Sequence, residues 1–216
     1  MSDADTAGPR ERYRARMRTE IKGHAWEQIA TAGVSALSLN AIAKQMGMSG
    51  PSLYRYFANR DALITELIAD AYRSLADTFR SAAAESGADL TTLAHALRRW
   101  AQDDPQRYFL VYGTPVPGYH APDDVTAVAS EIMTPLLDAC AALPSGHPTT
   151  AFETHLEGHR QWASGHPASP AALHRALIFW TQLHGILSLE LAGHFTGMDF
   201  DPAQLFDAEL ARLSTP

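Results

Sequence analysis

Residues 38–60 read SLNAIAKQMGMSGPSLYRYFANR, two short helical patterns that meet across a glycine. Ser38 stands at an N-cap position, and Leu39, Ile42, Ala43 and Met46 then recur at helical spacing. Gly47 supplies the permissive backbone that stops the first helix and turns the chain. Ser49 is placed to cap a second helix, and Pro51 falls in its first turn, where a missing N–H costs nothing. Leu53 and Phe57, four residues apart, share a face that points back to a core. Two short helices around a tight turn form a helix-turn-helix unit.

In such a unit the second helix enters the DNA major groove, and this one carries the chemistry for it. Ser49, Ser52, Tyr54, Arg55 and Tyr56 offer hydroxyl and guanidinium donors, Gly50 lets the backbone come close, and Pro51 belongs to the same candidate DNA-binding set. Arg60 opens the next helix, placed for a phosphate, and Ser38 caps the first helix within reach of another. The plain alternative is a helical corner whose polar residues face water. Two tyrosines and an arginine in LYRYF make a poor solvation face and a good nucleic-acid face.

The segment resembles the tetracycline-repressor (TetR) family of bacterial transcriptional regulators. The resemblance rests on Ile42-Ala43, Gly47-Met48-Ser49, Leu53 to Phe57, and Arg60 followed by Asp61, Ala62 and Leu63. Met48 stands where valine is usual and Arg60 where lysine is usual, substitutions that keep the apolar and cationic character. The resemblance implies an all-α fold, with a three-helix DNA-binding head followed by a helical domain for effector binding and dimerisation.

Charge fits that division. The chain has a net charge of −7, which taken alone argues against nucleic acid. Residues 1–60, however, hold nine Lys/Arg against five Asp/Glu, a net +4, which leaves −11 on residues 61–216. A basic end can sit on phosphates while the acidic remainder is held away from them. With 46% hydrophobic and 19% charged residues the composition is globular. No secretory signal pattern and no membrane-spanning run are present, and Cys140 is the single cysteine, so no internal disulfide forms. The sequence predicts a soluble, cytoplasmic protein with no membrane partner.

Taken in order, residues 1–9 read as a disordered tail, 10–62 as the DNA-binding domain and 63–216 as the effector and dimerisation domain. Arginine at every second position from Arg10 to Arg18 reads as a basic arm running into the first helix, for phosphate or minor-groove contact or simply for solvation. Met17, Ile21, Ala25 and Ile29 give that helix its apolar face, and Gly33 closes it. Later helices are predicted over Asp123–Leu143, with Val125 and Val128 among the inward positions, over Thr149–Ala163, and from Ser169-Pro170 to Phe195. Nothing alternates with period two, so the fold class is all-α, with about nine or ten helices.

Leu173, Leu177, Trp180, His184, Leu187 and Leu191 follow the four-three spacing of a packing seam. Trp180 to Gly185 resembles the Trp/His-Gly signature of one C-terminal subgroup of the family, as does Pro105 to Pro122. The resemblance implies a homodimer through the last two long helices, a double-stranded DNA operator and a small-molecule effector, without a cofactor. Trp100, Phe109, Tyr112, Trp162, Trp180 and His184 are the candidate pocket residues, each with ordinary core packing as its bland reading. His155 and His159 share a helical face and could grip a metal ion, with His147, Glu153 and His166 as further ligands. No nucleophile elbow, phosphate loop or paired carboxylates appear, so an enzyme is not expected. The expected protein is a ligand-responsive repressor, released from its operator by an apolar or amphipathic effector. A metal-responsive regulator is the alternative.

Overall fold

The computed structural model describes residues 8–86, 89–116, 119, 123–146 and 148–214. The described residues form ten α-helices and two short 3₁₀ segments, and no strand occurs among them. They are α1 (Pro9–Ala32), α2 (Leu39–Gln45), α3 (Gly50–Leu53), α4 (Arg60–Ser86), α5 (Leu90–Asp103), α6 (Pro105–Tyr112), α7 (Asp123–Ala141), α8 (Ala151–Gly158), α9 (Pro170–Leu191) and α10 (Pro202–Ser214). The chain divides into two compact units, residues 1–68 with 115–121, and residues 69–114 with 122–216. Tail residues 1–7 and the Val125 and Val128 side chains lie outside what is described.

In the first unit α1 buries Met17, Ile21, Ala25 and Ile29 along one stripe, the face its 3.6-residue period dictates. The same unit also buries Leu39, Ile42 and Ala43 of α2, Leu53 of α3, Phe57, and Leu63, Ile64 and Leu67 from the first turns of α4. Gly33 (φ 76°) ends α1 and lets the chain turn into a short 3₁₀ segment, Val34–Ala36. The basic run from Arg10 to Arg18 is part of α1 rather than an arm before it, because Pro9 starts the helix and the Glu11 carboxylate accepts the Gly8 N–H at 3.0 Å.

The second unit packs the later part of α4 with α5–α10 around Leu75, Phe79, Leu97, Trp100, Tyr108, Phe179, Leu183, Leu187 and Phe206. Side-chain caps define its helix starts: Asp89, Asp104, Thr150 and Ser169 each accept an N–H from the first turn. Arg175 of α9 donates to the carbonyls of Cys140, Leu143 and Pro144, satisfying orphan acceptors where α7 ends. Three predicted helix ends move inward. α7 stops at Ala141, and α9 stops at Leu191 in a turn through Gly193 (φ 78°). The helix expected over Thr149–Ala163 breaks into α8 and a 3₁₀ turn at Gln161–Ala163.

Candidate nucleic-acid interface and ligand cavity

The turn between α2 and α3 is set by local chemistry. Ser38 caps α2 by accepting the Ala41 N–H at 3.3 Å, and Gln28 of α1 accepts the Ser38 N–H at 3.0 Å. At the other end Met48 N–H reaches Ala43 O (2.8 Å) and Gly47 N–H reaches Lys44 O (3.2 Å), with Gly47 at φ 64°. That pair of bonds is a Schellman stop, and it needs the left-handed glycine. The Ser49 side chain makes no capping bond, unlike the sequence expectation, although its backbone is extended as at an N-cap. Asn59 instead caps α4, accepting the Ala62 N–H at 2.8 Å.

Helical hydrogen bonding in α3 covers Gly50–Leu53 only, and Tyr54, Arg55 and Tyr56 continue as a turn. The shortening has a visible cause. Leu53 O accepts from both Tyr56 N–H (2.8 Å) and Phe57 N–H (3.3 Å), a tightening of the last turn. The carbonyl of Tyr56 is taken by the Arg18 guanidinium. Arg18 also pairs with Glu66 and lies over the Phe57 ring at 4.4 Å. It therefore ties α1 to the turn and to α4, a structural role that the spacing of the arginines did not signal.

Around this scaffold Ser49, Pro51, Tyr54 and Arg55 are exposed, and Gly50, Ser52 and Tyr56 are half-buried. Arg55 Nη2 donates to Ser52 Oγ at 3.0 Å, which holds the guanidinium over the exposed tip. Asn40, not singled out by sequence, lies beside Gly50: a Cβ there would stand 3.7 Å from Asn40 Oδ1. Arg60 is less free than expected. Its Nη2 donates to Val34 O at 2.7 Å, and its Nη1 lies 3.8 Å from Asp61 Oδ1. A charged donor on the carbonyl after Gly33 steadies that turn as well as carrying positive charge.

The second unit contains a cavity of about 380 Å³ lined by Tyr72, Tyr112, Ser130, Met133, Trp162, Leu177 and Trp180. Of the aromatic residues singled out by sequence, Tyr112, Trp162 and Trp180 form its wall. His184 sits against that wall, with its ring centroid 4.2 Å from Tyr112 and 4.4 Å from Trp180. Trp100 and Phe109 do not line it. Trp100 is buried elsewhere, its indole donating to Ser74 Oγ at 3.1 Å under the Arg107 guanidinium, and Phe109 packs edge-on to Tyr108. Both follow the common fate of an aromatic at helical spacing, which is core packing.

His184 is held by a residue that the sequence did not mark. The Tyr108 hydroxyl lies 3.0 Å from His184 Nδ1, 3.1 Å from His184 O and 2.9 Å from Ser188 Oγ. Burial lowers the His184 pKa from the ordinary 6.5 to about 3, so the ring is neutral. Burial likewise raises the pKa of Tyr112 well above 10, helped by its neighbours Tyr72 and Tyr108.

The histidine pair is arranged differently from the expectation. α8 ends at Gly158, so His159 lies past the helix, where its Nδ1 contacts His155 O at 2.9 Å and the two rings stack at 4.0 Å. His166 Nε2 pairs with Asp138 at 3.0 Å, and Glu153 accepts the Thr150 N–H and faces His174. His147 lies outside the described residues. Among the described residues no group of three or more His, Cys, Asp or Glu is placed to hold a metal ion, and no helix is long and apolar enough to cross a membrane.

A three-helix head with an exposed polar tip, followed by a helical second unit, defines a helix-turn-helix transcriptional regulator. The comparisons agree. Residues 23–67 match the family described as bacterial regulatory proteins, tetR family, and residues 90–213 match the tetracyclin repressor-like C-terminal domain. The chain is 36% identical over 218 residues to the HTH-type transcriptional regulator Rv1816 of Mycobacterium tuberculosis, covering 94% of this chain and 92% of the relative. The crystal structure of the regulatory protein SCO4313 superposes with a TM-score of 0.89 at 69% identity, over 97% of this chain and 100% of the other. A TetR-family regulator from Shewanella sp. PV-4 shares the fold at 17% identity and a TM-score of 0.58, over 91% of this chain and 95% of the other. The chain belongs to the TetR family of DNA-binding transcriptional regulators. It is a regulator, not an enzyme.

Proposed function

We propose that this regulator is a homodimeric, cytoplasmic repressor whose residues 10–62 read an operator and whose residues 63–216 bind a small effector and pair the subunits. The observation that carries the effector reading is the aromatic cavity of about 380 Å³ among Tyr72, Tyr112, Trp162 and Trp180, within the usual range for small-molecule sites. An effector lowers operator affinity only by binding the non-DNA-binding state better. Pairing through α9 and α10 is supported by an exposed face. Thr181, Gln182, Gly185 and Leu189 of α9 and Gln204, Ala208 and Ala211 of α10 are exposed, and Leu189 keeps 44% of its surface. Small-angle scattering at micromolar concentration is expected to give a dimer mass, and a strict monomer would remove this arrangement.

On the DNA side Arg55 is the proposed base reader, because a guanidinium pairs bidentately with guanine. Ser38, Ser49, Gly50, Pro51, Ser52, Tyr54, Tyr56 and Arg60 serve mainly the backbone and the fit of the groove. Arg55→Ala should cost about 1–3 kcal/mol at one base pair and relax preference there. Selection from a randomised operator library reads this directly, and unchanged specificity would exclude Arg55 as a reader. Fluorescence anisotropy on operator DNA, obtained from genome-wide binding-site capture, tests release. Affinity should fall when a cavity ligand is added.

A further inference from the structure

The packing face of α1 continues beyond the core it packs against. Met17, Ile21, Ala25 and Ile29 are buried, whereas every residue from Pro9 to Arg16 is exposed. Three and seven residues before Met17, the same face carries Arg14 and Arg10. The helix therefore overhangs the head by about two turns, with arginine where its apolar seam would lie.

Arg18 fixes where the overhang runs. Its guanidinium donates to Tyr56 O, at the end of the turn that follows α3, and pairs with Glu66 of α4. At a rise of about 1.5 Å per residue, Arg14 and Arg10 stand about 6 and 12 Å farther along the axis. Helical side chains lean toward the N-terminus, so both guanidiniums reach outward from the head. Neither makes a hydrogen bond or ion pair with a described residue. Glu11, between them, is engaged by the Gly8 N–H at 3.0 Å.

The charge pattern works against the helix that carries it. Residues 10–18 hold five arginines and one glutamate. Arg10 with Arg14, Arg12 with Arg16, and Arg14 with Arg18 are like charges four residues apart, which repel on a helix. Arg10 and Arg12 also fall in the first turn, where the helix dipole favours anions. A polyanion lying along the overhang relieves both.

Shape selects the polyanionic surface. A helix with its side chains is about 10–12 Å across and does not enter a minor groove about 6 Å wide. The surface that fits is the phosphate backbone beside the groove that a helix-turn-helix head enters.

Resting on DNA binding by the head, we propose that Arg14 and Arg10 form a second DNA contact, on backbone phosphates and separate from the Ser38 to Arg60 set. They supply affinity and salt dependence but no base readout. Arg16 is the internal contrast. Two residues from Arg14, it projects from the opposite side of the helix, with its guanidinium 5.7 Å from the Tyr13 ring centroid and 3.8 Å from Glu20 Oε1.

The test is fluorescence anisotropy of the full chain on captured operator DNA and on a random duplex, from about 50 to 200 mM salt. Each contacted phosphate adds about 0.9 to the slope of log affinity against log salt. Arg10→Ala combined with Arg14→Ala should therefore flatten that slope by about two. Over this range the wild type should lose about tenfold more affinity than the double variant. Both duplexes should weaken alike. Arg10→Lys with Arg14→Lys should keep the slope, because a point charge still meets a phosphate, and Arg16→Ala should match the wild type. A wild-type slope in the double alanine variant, equal flattening by the lysine pair or by Arg16→Ala, or a loss confined to the operator overturns the proposal. Failure of the wild type to bind any duplex would instead sink DNA binding by the head.

Discussion

Replacing Phe57 by alanine should destabilise the N-terminal unit by about 3–5 kcal/mol and abolish DNA binding at any sequence. Phe57 is 2% exposed and packs within the core that α1, α2 and α4 share in that unit. It also carries the Arg18 guanidinium on its face at 4.4 Å, and Arg18 in turn holds Tyr56 O and Glu66. The residues that would touch DNA, Ser49 to Tyr56, have only one turn of regular helix of their own. An isolated helix of that length is unstable in water, so its shape comes from the groups packed behind it. Because domain stability is typically about 5–15 kcal/mol, a loss of this size empties much of the folded head. Urea unfolding followed by circular dichroism measures the first effect, and anisotropy on operator DNA measures the second. A cost under about 1 kcal/mol would mean that the site collapses around the gap. Arg18→Met alone should lower affinity for all operators alike, and a double-mutant cycle with Phe57→Leu should return a coupling of about 0.5–2 kcal/mol.

Acid should weaken the second unit through a single ring. His184 keeps a pKa of about 3 when folded because burial penalises its charged form, against 6.5 in the open chain. Between those values the unfolded state binds one more proton than the folded state, so stability rises with pH across that window. The contribution is complete above about pH 6.5 and is lost as pH falls toward 3. From pH 7.5 to pH 5 the expected loss from this residue is about 2 kcal/mol. His184→Gln removes the titration, so its unfolding free energy should be flatter by that amount over the same interval. Equal pH dependence in the two proteins would mean that the imidazole is not held neutral. The phenols around it do not disturb the test, because burial raises the pKa of both Tyr108 and Tyr112.

Local chemistry made much of the head readable in advance. The buried stripe Met17, Ile21, Ala25 and Ile29 is a matter of helical period, and Ser38, Gly47 and Gly33 act on their own backbones within a few residues. The Ser169-Pro170 start of α9 was legible for the same reason. The candidate cavity was half legible. Tyr112, Trp162 and Trp180 meet there, but Trp100 has the same composition and spacing signature and is held instead by Ser74.

The sequence by itself therefore determined the helix-turn-helix head, the all-helical class and the charge division, because each follows from interactions between near neighbours or from composition. Only the tertiary structure decided that Arg18 clamps the turn from 38 residues away, and that Tyr108 secures His184 across 76 residues. It also decided that the turn after Leu53 cuts the reading helix short. Helical period says which face of a helix is buried, but not which other face it meets. That choice is made by the packing of the whole core, and it brought Tyr112, Trp162 and Trp180 together around a cavity.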